Sequence, residues 1–502
     1  MGCGSSTDAP QASQIASNVN VIIVKKKAVE EEYDIKGDEV LGEGTFATVA
    51  NCTLKTTGEE RAVKIIHKSR VNDVDDFRNE LRIMRVLDHP HLMACYEVFE
   101  TKTQLKFILE KLDGGSLLKR LPYSELNAQQ VIIQICKGLA YLHDQKIMHR
   151  DLKCENIMFV KDDLSDFTIK LIDFGLSKKF KRGSTLHDFV GTPYTLAPEV
   201  MLEDYNEKAD MWSLGVITYI MLTNRRPFPA LDDSLYDQID SCEYDIDGPW
   251  NSLKLSDNSK EFVKSLLTRD PKARPSAHDA LKMPFLTTKH LERTNTNFDS
   301  LYSDMVAFSK YSELKKVGLM ILAHQSKGLE SMKNLRDAFE EIDKESTGVL
   351  SVQDFIGILE EHCTEESRDT MREVIADVYK QIDVNKANAI SYTEFLASTL
   401  ASYTALQENQ LTQVFENLDR SGTGYITQAD LSTVLGKQFS RKEIIKIVSQ
   451  VDKNGDGKVD YSEFMALFRE HIEEAGICQK VSSPNIKKEG IRESRASLFR
   501  ES

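Results

Sequence analysis

Several classes of protein are excluded by what this sequence of 502 residues lacks. Its eight cysteines form no CxxC pair and no metal-ligand spacing, which argues against a disulfide framework and favours a reducing compartment. Its apolar runs end well short of the roughly 18 to 20 residues that a membrane-spanning helix needs. A basic excess is also missing, because 79 Asp and Glu outnumber 64 Lys and Arg. Nucleic acid is therefore not the expected partner.

The composition that remains is typical of a folded chain with more than one domain. With 41% hydrophobic and 28% charged residues, it lies near the average for globular proteins. Its length is several times the ~150 residues expected of one domain, so we expect two or three hydrophobic cores. A single small binding module is excluded.

The first six residues carry a pattern for lipid attachment. Gly2 with Ser6 four residues later fits N-myristoylation, and Cys3 is then a candidate for palmitoylation. One myristoyl chain binds membranes only marginally, at roughly 10⁴ M⁻¹, so stable anchoring needs the second lipid. The alternative is an ordinary disordered start rich in glycine and serine. We expect a cytoplasmic protein held peripherally on a membrane.

Residues 33–286 begin with motifs suited to binding a nucleotide. In a glycine-rich turn between two predicted strands, the backbone can approach phosphates without a Cβ clash. The residues of this motif are Leu41, Gly42, Glu43, Gly44, Thr45, Phe46, Ala47 and Val49. A later strand ends at Lys64, which could hold the α and β phosphates of ATP, and Glu80 on a predicted helix is placed to pair with it. Taken alone, Lys64 could also be an ordinary surface lysine.

Three more motifs follow in a fixed order. Residues 149–156, 173–175 and 197–199 have the sequences HRDLKCEN, DFG and APE. A chance match to one of them is easy, but all of them in this order resemble the signature set of protein kinases. That resemblance implies the bilobal α+β protein-kinase fold.

The resemblance also implies a role for each matching residue. Phosphoryl transfer depends mostly on positioning and on neutralising charge. Asp151 would orient the substrate hydroxyl and accept its proton, while Asn156 and Asp173 would hold Mg²⁺. Lys153 and Thr192 match the serine/threonine class. The other residues implied at the ATP site are Val49 and Ala62 around the adenine, Leu109 as gatekeeper, and Glu110 and Leu112 in the hinge.

An acidic segment follows, with 25 Asp and Glu against 15 Lys and Arg over residues 332–472. It contains four loops of twelve residues that start at Asp343, Asp383, Asp419 and Asp452, at intervals of 40, 36 and 33 residues. These intervals predict helix–loop–helix units in two pairs. The fourth loop matches the EF-hand calcium pattern at every ligand position. Calcium ligands in such a loop come from positions 1, 3, 5, 7, 9 and 12.

The expected ligands follow from these positions. In loop 4 they are Asp452, Asn454, Asp456, Lys458, Asp460 and Glu463; in loop 3, Asp419, Ser421, Thr423, Tyr425 and Asp430; in loop 1, Asp343, Glu345, Thr347, Val349 and Asp354. Loops 1 and 3 end in aspartate, which shortens the reach of the last ligand. Loop 2 offers Asp383, Asn385 and Glu394, but Ala387 at position 5 has no side-chain oxygen. For loop 2, calcium binding and a purely structural role both stay open.

A kinase domain, a junction and four EF-hands in one chain resemble the calcium-dependent protein kinases. Residues 308–323 look like the autoinhibitory helix of that family, with Lys315 and Lys316 beside an apolar stripe. The alternative is a simple linker helix packed on the kinase. Gly318 stands where the family usually has alanine and costs about 1 kcal/mol of helix propensity.

Asp188 is a further regulatory candidate. In many kinases with an Arg–Asp pair such as Arg150–Asp151, a phosphothreonine four residues before the threonine of Gly-Thr-Pro neutralises the arginine. The corresponding residue here is Asp188, which is anionic without modification. The alternative is that Ser184 or Thr185 is phosphorylated instead.

Substrate preference is less clearly indicated. Ser116 replaces the glutamate that binds a substrate arginine in basophilic relatives, although Glu155 remains. We expect protein substrates with Ser or Thr near basic residues, and a monomeric enzyme.

Together these features predict a multidomain chain. The expected divisions are an acylated extension at 1–32, the kinase at 33–286, an autoinhibitory junction at 287–331, EF-hand pairs at 332–402 and 403–472, and a tail at 473–502. The predicted function is a serine/threonine kinase that uses ATP, Mg²⁺ and Ca²⁺ and is autoinhibited at low calcium. The alternatives are a pseudokinase that serves as a calcium-responsive scaffold and a kinase whose EF-hands are only structural.

Overall fold

The structure is a computed structural model, and it describes residues 22–43, 47–70, 74–181, 183–287, 298–362, 368–400, 408–436 and 439–469. Gly2, Cys3, Gly44, Thr45 and Phe46 lie outside the described residues, as does the predicted tail. A bilobal kinase fold is followed by a helical EF-hand region, which confirms the predicted fold class.

The first kinase lobe is a six-stranded sheet with one helix beside it. Its elements are β1 (Ile23–Lys25), β2 (Tyr33–Glu43), β3 (Ala47–Leu54), β4 (Glu60–His67), α1 (Val74–Met84), β5 (Cys95–Glu100) and β6 (Gln104–Leu109). The strand order is β1-β5-β6-β4-β3-β2. All neighbours are antiparallel except β1 and β5, which run parallel. The register places Val49 opposite Lys64 and Ala62 opposite Leu109, so the predicted ATP-site residues share one region of the sheet.

The second lobe is mainly helical. Its elements are α2 (Glu125–Asp144), β7 (Ile147–Met148), β8 (Ile157–Phe159), β9 (Ile169–Leu171), β10 (Lys178–Lys179), α3 (Pro198–Met201), α4 (Lys208–Thr223), α5 (Ser234–Ser241), α6 (Asp247–Leu253), α7 (Asp257–Leu266), α8 (Ala277–Leu281) and α9 (Pro284–Thr287). Helix α4 is buried along its whole length, which explains its almost uninterrupted apolar sequence.

The junction and the EF-hands form a second hydrophobic core. Their elements are α10 (Phe298–Ser309), α11 (Glu313–Ser326), α12 (Lys333–Ile342), β11 (Val349–Leu350), α13 (Val352–His362), α14 (Arg368–Ile382), β12 (Ile390–Ser391), α15 (Tyr392–Thr399), α16 (Glu408–Leu418), α17 (Gln428–Leu435), α18 (Arg441–Ser449) and α19 (Tyr461–Ala466). Loops 1 and 2 pair through β11 and β12, and loops 3 and 4 through Ile426 and Val459. The described helices therefore form two EF-hand pairs, as their spacing predicted.

The continuous helix predicted over residues 308–323 is wrong in one respect. Helix α10 ends at Ser309, and a new helix begins at Glu313 because the Ser312 hydroxyl accepts a hydrogen bond from the Lys315 amide at 3.4 Å and caps it. Helix α11 is also buried on every side, rather than along one apolar stripe.

The EF-hand region docks on the kinase through several buried polar contacts. Asp88 of the kinase accepts the Lys327 ammonium at 2.6 Å and both the amide and the hydroxyl of Thr393, at 3.0 and 2.9 Å. Glu340 of α12 lies 2.7 Å from the Lys137 ammonium. The EF-hand region and the kinase therefore share an extensive interface.

Candidate functional site

The cleft between the two lobes contains one connected set of charged side chains. Lys64 at the middle of β4 lies 2.6 Å from Glu80 of α1 and 2.9 Å from Asp173. Burial alone would lower the pKa of Lys64, but the two carboxylates outweigh that effect and raise it. The same lysine holds the pKa of Asp173 below its usual value despite burial. These charges leave a cation and an anion fixed where phosphates and a metal ion could be held.

The catalytic loop places Asp151 at the centre of a second network. Its carboxylate accepts hydrogen bonds from the Thr192 hydroxyl at 2.6 Å and from the Asn156 amide at 3.0 Å, and the Lys153 ammonium lies 2.8 Å away. Lys153 also donates to the Thr192 hydroxyl at 3.0 Å. The side chains predicted to orient a hydroxyl nucleophile and hold a phosphate are thus brought together.

A buried aspartate that the sequence analysis missed fixes the backbone of this loop. Asp210 of α4 is 1% exposed and accepts hydrogen bonds from the amides of His149 and Arg150 at 3.0 and 2.9 Å. His143 lies 2.9 Å from the same carboxylate. An acidic residue at the start of an apolar helix was the available signal, because such a group is buried only when it is paired.

The activation segment is tied to the catalytic loop through Asp188. Its carboxylate accepts hydrogen bonds from Arg150 at 2.8 Å and from Lys178 at 2.6 Å. The bond from Lys178 is the main reason that the pKa of Asp188 is lowered. Tyr205 adds a bridge, since its hydroxyl donates to the Asp188 carbonyl at 2.9 Å and accepts from Arg150 at 3.2 Å. The sequence analysis predicted a role for Asp188 but not for Lys178 and Tyr205, which lie 10 and 17 residues from it in the chain.

The hinge is fixed within the kinase by contacts of a buried carboxylate. Leu109, Glu110 and Leu112 are buried, and the Glu110 carboxylate accepts the Ala94 amide at 2.7 Å and lies 3.1 Å from the Lys170 ammonium. In the glycine-rich motif at the end of β2, the side chains of Leu41 and Glu43 are exposed.

Helix α11 contacts strands β5 and β4 of the first kinase lobe. His324 Nε2 lies 2.8 Å from the Cys95 carbonyl oxygen, and Arg61 donates to the Gln325 carbonyl at 3.0 Å.

The predicted junction lysines lie inside the EF-hand core. The Lys316 side chain is 1% exposed, and its ammonium lies 3.1 Å from Glu313. The Lys315 ammonium lies over the rings of Tyr311 and Phe468, 3.9 and 5.9 Å from their centroids. The two lysines therefore contact the junction and the last EF-hand in this structure.

Loop 4 has the oxygen donors and turns of a calcium site. Gly455 and Gly457 adopt positive φ angles, which a β-carbon would disfavour. Asp452 accepts backbone amides, including that of Gly457 at 2.8 Å, and Glu463 accepts those of Lys453 and Asp460. Within the described residues no three His, Cys, Asp or Glu side chains converge as a metal cluster. These carboxylates fit Ca²⁺ chemically and would exchange amide hydrogen bonds for the ion.

Loop 3 has a similar surface-exposed arrangement. Asp419 accepts the amides of Thr423 and Gly424, and Asp430 accepts the amide of Ser421 at 2.9 Å. Ser421, Thr423 and Tyr425 are exposed. Three of the five expected ligands of this loop are therefore exposed, whereas Asp430 is buried.

Loops 1 and 2 are set against the kinase and are more buried. Burial raises the pKa of Asp343 to about 6 and that of Glu394 to about 8. Both oxygens of Glu394 already accept backbone amides, from Asn385 and Ser391. In loop 1, Thr347 donates its amide to Asp343 at 2.9 Å.

The remaining expected ligands of loop 1 differ in their exposure. The Glu345 side chain is exposed, the Val349 side chain is half-buried, and the Asp354 carboxylate accepts hydrogen bonds from the amide and the hydroxyl of Ser351. In loop 2 the Asp383 carboxylate accepts the amides of Ala387 and Asn388, both at 2.8 Å.

Comparison with known proteins matches both parts of this architecture. A family model described as a protein kinase domain matches residues 35–286, and a model described as an EF-hand domain pair matches residues 332–400 and 408–469.

Several curated proteins are similar along most of the chain. Calcium-dependent protein kinase 5 of Plasmodium falciparum (isolate 3D7) is 31% identical over 460 residues, which cover 89% of this chain and 79% of that protein. Calcium-dependent protein kinase 7 of Oryza sativa subsp. japonica is 33% identical over 465 residues, covering 90% and 84%. Calcium-dependent protein kinase 4 of Plasmodium falciparum is 30% identical over 456 residues, covering 86% and 85%.

Proposed function

The chain belongs to the calcium-dependent protein kinases, and we propose that its junction inhibits the kinase at low calcium and is withdrawn when the EF-hands bind Ca²⁺. Membership makes it a calcium-regulated serine/threonine protein kinase that acts on protein substrates with ATP and Mg²⁺. The proposal concerns how calcium controls that activity.

The enclosure of α11 by the EF-hand helices is the observation that carries this proposal. Leu314, Val317 and Ile321 are at most 2% exposed within the EF-hand core. At the same time, Lys64 is paired with Glu80 in the cleft. This combination is what a released, catalytically ordered state requires. At low calcium, α11 would leave the EF-hand core and its basic residues would occupy the substrate cleft.

We assign the catalytic roles to the two side-chain networks in the cleft. Asp151 would orient the substrate hydroxyl and accept its proton, and Lys153 would neutralise charge on the transferring phosphate beside Thr192. Lys64 would hold the α and β phosphates, and Asn156 with Asp173 would hold Mg²⁺. A pseudokinase is not favoured, because every one of these side chains is present and each of the two networks is paired internally.

Asp188 would replace an activating phosphate. It already pairs with Arg150 and Lys178 across the activation segment. Ser184 and Thr185 are exposed, and the Ser184 hydroxyl donates to the Lys181 carbonyl at 2.7 Å. A carboxylate carries one charge where phosphate carries about 1.5 to 2, so this ordering is weaker but permanent.

Glu155 would select substrates with a basic residue near the acceptor. Its exposed carboxylate accepts the Tyr194 hydroxyl at 2.6 Å through one oxygen. The second oxygen can accept from a substrate guanidinium or ammonium group.

Peripheral attachment through Gly2 and Cys3 and a monomeric state complete the proposal. No helix in the described ranges is long and apolar enough to cross a membrane. Because one myristoyl chain binds only marginally, stable attachment would depend on both lipids, and Gly2→Ala should move the protein from the membrane to the soluble fraction of its cell. We also retain the expected domain divisions, from the extension at 1–32 to the tail at 473–502.

The test is phosphate transfer to a protein substrate at controlled free calcium, with the full chain and a chain ending at Arg293. The full chain should require calcium, whereas the shortened chain should transfer phosphate equally at low and high calcium. A shortened chain that calcium still stimulates would refute control by the junction. Asp151→Asn in the full chain is the inactive control.

A further inference from the structure

The N-terminal segment contributes a strand that lies outside the matched kinase domain. The kinase family match begins at residue 35, whereas β1 (Ile23–Lys25) pairs parallel with β5 and covers that edge of the sheet. The register aligns Val24 with Val98 and Lys25 with Phe99. A strand of three residues gains little from its ladder alone, so side-chain burial must hold it.

That burial comes from two sides at once. Ile22 is 4% exposed and lines a small cavity between the kinase and the EF-hand region. The cavity is lined by Leu87 on the kinase side, and by Met320 of α11 and Thr393 of α15 on the side of the EF-hand region. Removing the EF-hand region would expose one side of Ile22 to water and weaken its hold.

Charged groups also bring together the N-terminal segment, the kinase and the EF-hand region. The Lys25 ammonium lies 2.6 Å from Glu32 and 3.0 Å from Glu97, so it links the segment to the kinase sheet. Glu416 of α16, in the second EF-hand pair, is exposed and lies within electrostatic range of Glu32, Lys25 and Lys27. Partial desolvation and then Glu32 raise the pKa of Glu416, whereas Lys25 and Lys27 act in the opposite direction.

From these contacts we infer that residues 22–27 are a third component of the interface between kinase and EF-hand region, held when the region is docked and released when it leaves. The inference rests on the proposed calcium-dependent docking. Because coupling between two binding events is reciprocal, the segment must also favour docking. Its loss should then raise the calcium concentration needed for activation.

Hydrogen exchange on the full-length protein at low and saturating calcium tests the first half. The amides of residues 22–27 should exchange at least tenfold more slowly with calcium, in parallel with those of α11. If α11 responds and the segment does not, this inference alone is overturned. If neither responds, the proposed docking itself fails.

A double-mutant cycle in the full-length protein tests the second half. Ile22→Ala and Met320→Ala should each raise the calcium midpoint of activity three- to tenfold, and the double variant should shift it by less than the product. Ile22→Val should restore most of the loss. The matched control is Leu164→Ala, since Leu164 is 74% exposed on the kinase. An unchanged midpoint in Ile22→Ala would overturn the inference.

Discussion

The two EF-hand pairs have nearly the same helix–loop–helix arrangement but very different surroundings. In the first pair, Glu394 is fully buried, and a β-carbon at Gly348 of loop 1 would lie 2.5 Å from Tyr141 of the kinase. In the second pair, most of loops 3 and 4 is exposed to solvent, from Ser421 to Tyr425 and from Lys453 to Lys458.

This difference indicates a division of labour. The first pair is built into the kinase interface, where its Thr393, together with Lys327 at the end of α11, holds the buried Asp88 carboxylate. The second pair presents its loops to calcium and closes on α11 through Phe464 and Phe468. We propose that the second pair is the main calcium sensor and that the first pair transmits its state to the kinase.

The largest effect should come from breaking the dock of the first pair. Asp88→Asn leaves Lys327 buried without its counter-charge, which costs about 3–5 kcal/mol for buried pairs. Calcium-stimulated phosphate transfer should fall by 100-fold or more, while activity at low calcium changes little. Asp162→Asn is the matched control, because its 2.7 Å pair with Lys119 is exposed and should contribute little. Equal effects of the two changes would show that the dock is dispensable.

Substituting the last calcium ligand of one loop in each pair tests the difference between the two pairs. Glu463→Gln should raise the calcium midpoint of activation by tenfold or more, whereas Glu394→Gln should shift it less than twofold. Moving a balance from 1:99 to 99:1 takes about 5.5 kcal/mol, or roughly 2.8 from each of the two loops of the second pair if these act alone. Calcium titration of kinase activity measures both midpoints. Comparable shifts would place loop 2 among the sensors.

Substitutions in the activation segment distinguish control by calcium from control by phosphorylation. Asp188→Ala removes the partner of Arg150 and Lys178, so calcium-stimulated turnover should fall about tenfold with an unchanged calcium midpoint. Ser184→Ala combined with Thr185→Ala should leave turnover unaffected. If the Ser184→Ala, Thr185→Ala double variant lost turnover and Asp188→Ala did not, the activation segment would be switched by phosphorylation.

The smallest effect concerns the fit of α11 against the second pair. A β-carbon at Gly318 would lie 3.0 Å from the Phe468 ring, while alanine also favours the helix by about 1 kcal/mol. Gly318→Ala should therefore raise the calcium midpoint only two- to fivefold. Phe468→Leu in the same chain should restore it. A lowered midpoint in Gly318→Ala would show that helix propensity outweighs the contact.

The sequence predicted those parts of the molecule whose chemistry is carried by local motifs. Lys64, Asp151 and Asp173 are predicted in this way, because phosphoryl transfer demands fixed residue types in a fixed order. The EF-hand loops were found for the same reason. Ala387 in loop 2 already indicated that this loop departs from the others.

What the sequence could not predict depends on contacts between distant segments. Asp88 meets Thr393 across 305 residues, and neither residue belongs to a recognisable motif. The break in the junction helix at Ser312 was also not predicted. A serine can either cap a new helix or lie within a continuous one, and here the packing on both sides decides between the two. The enclosure of Lys315 and Lys316 likewise depends on how the EF-hand helices assemble.

The central claim is that calcium binding in the second pair encloses α11, and hydrogen exchange of residues 313–326 in the full-length protein tests it most directly. Exchange should be followed across a calcium titration alongside kinase activity, in the wild type, Glu463→Gln and Glu394→Gln. We expect protection of α11 to rise at the same calcium concentration as activity, with a large shift only in Glu463→Gln. Exchange of α11 that ignores calcium while activity rises would contradict the account.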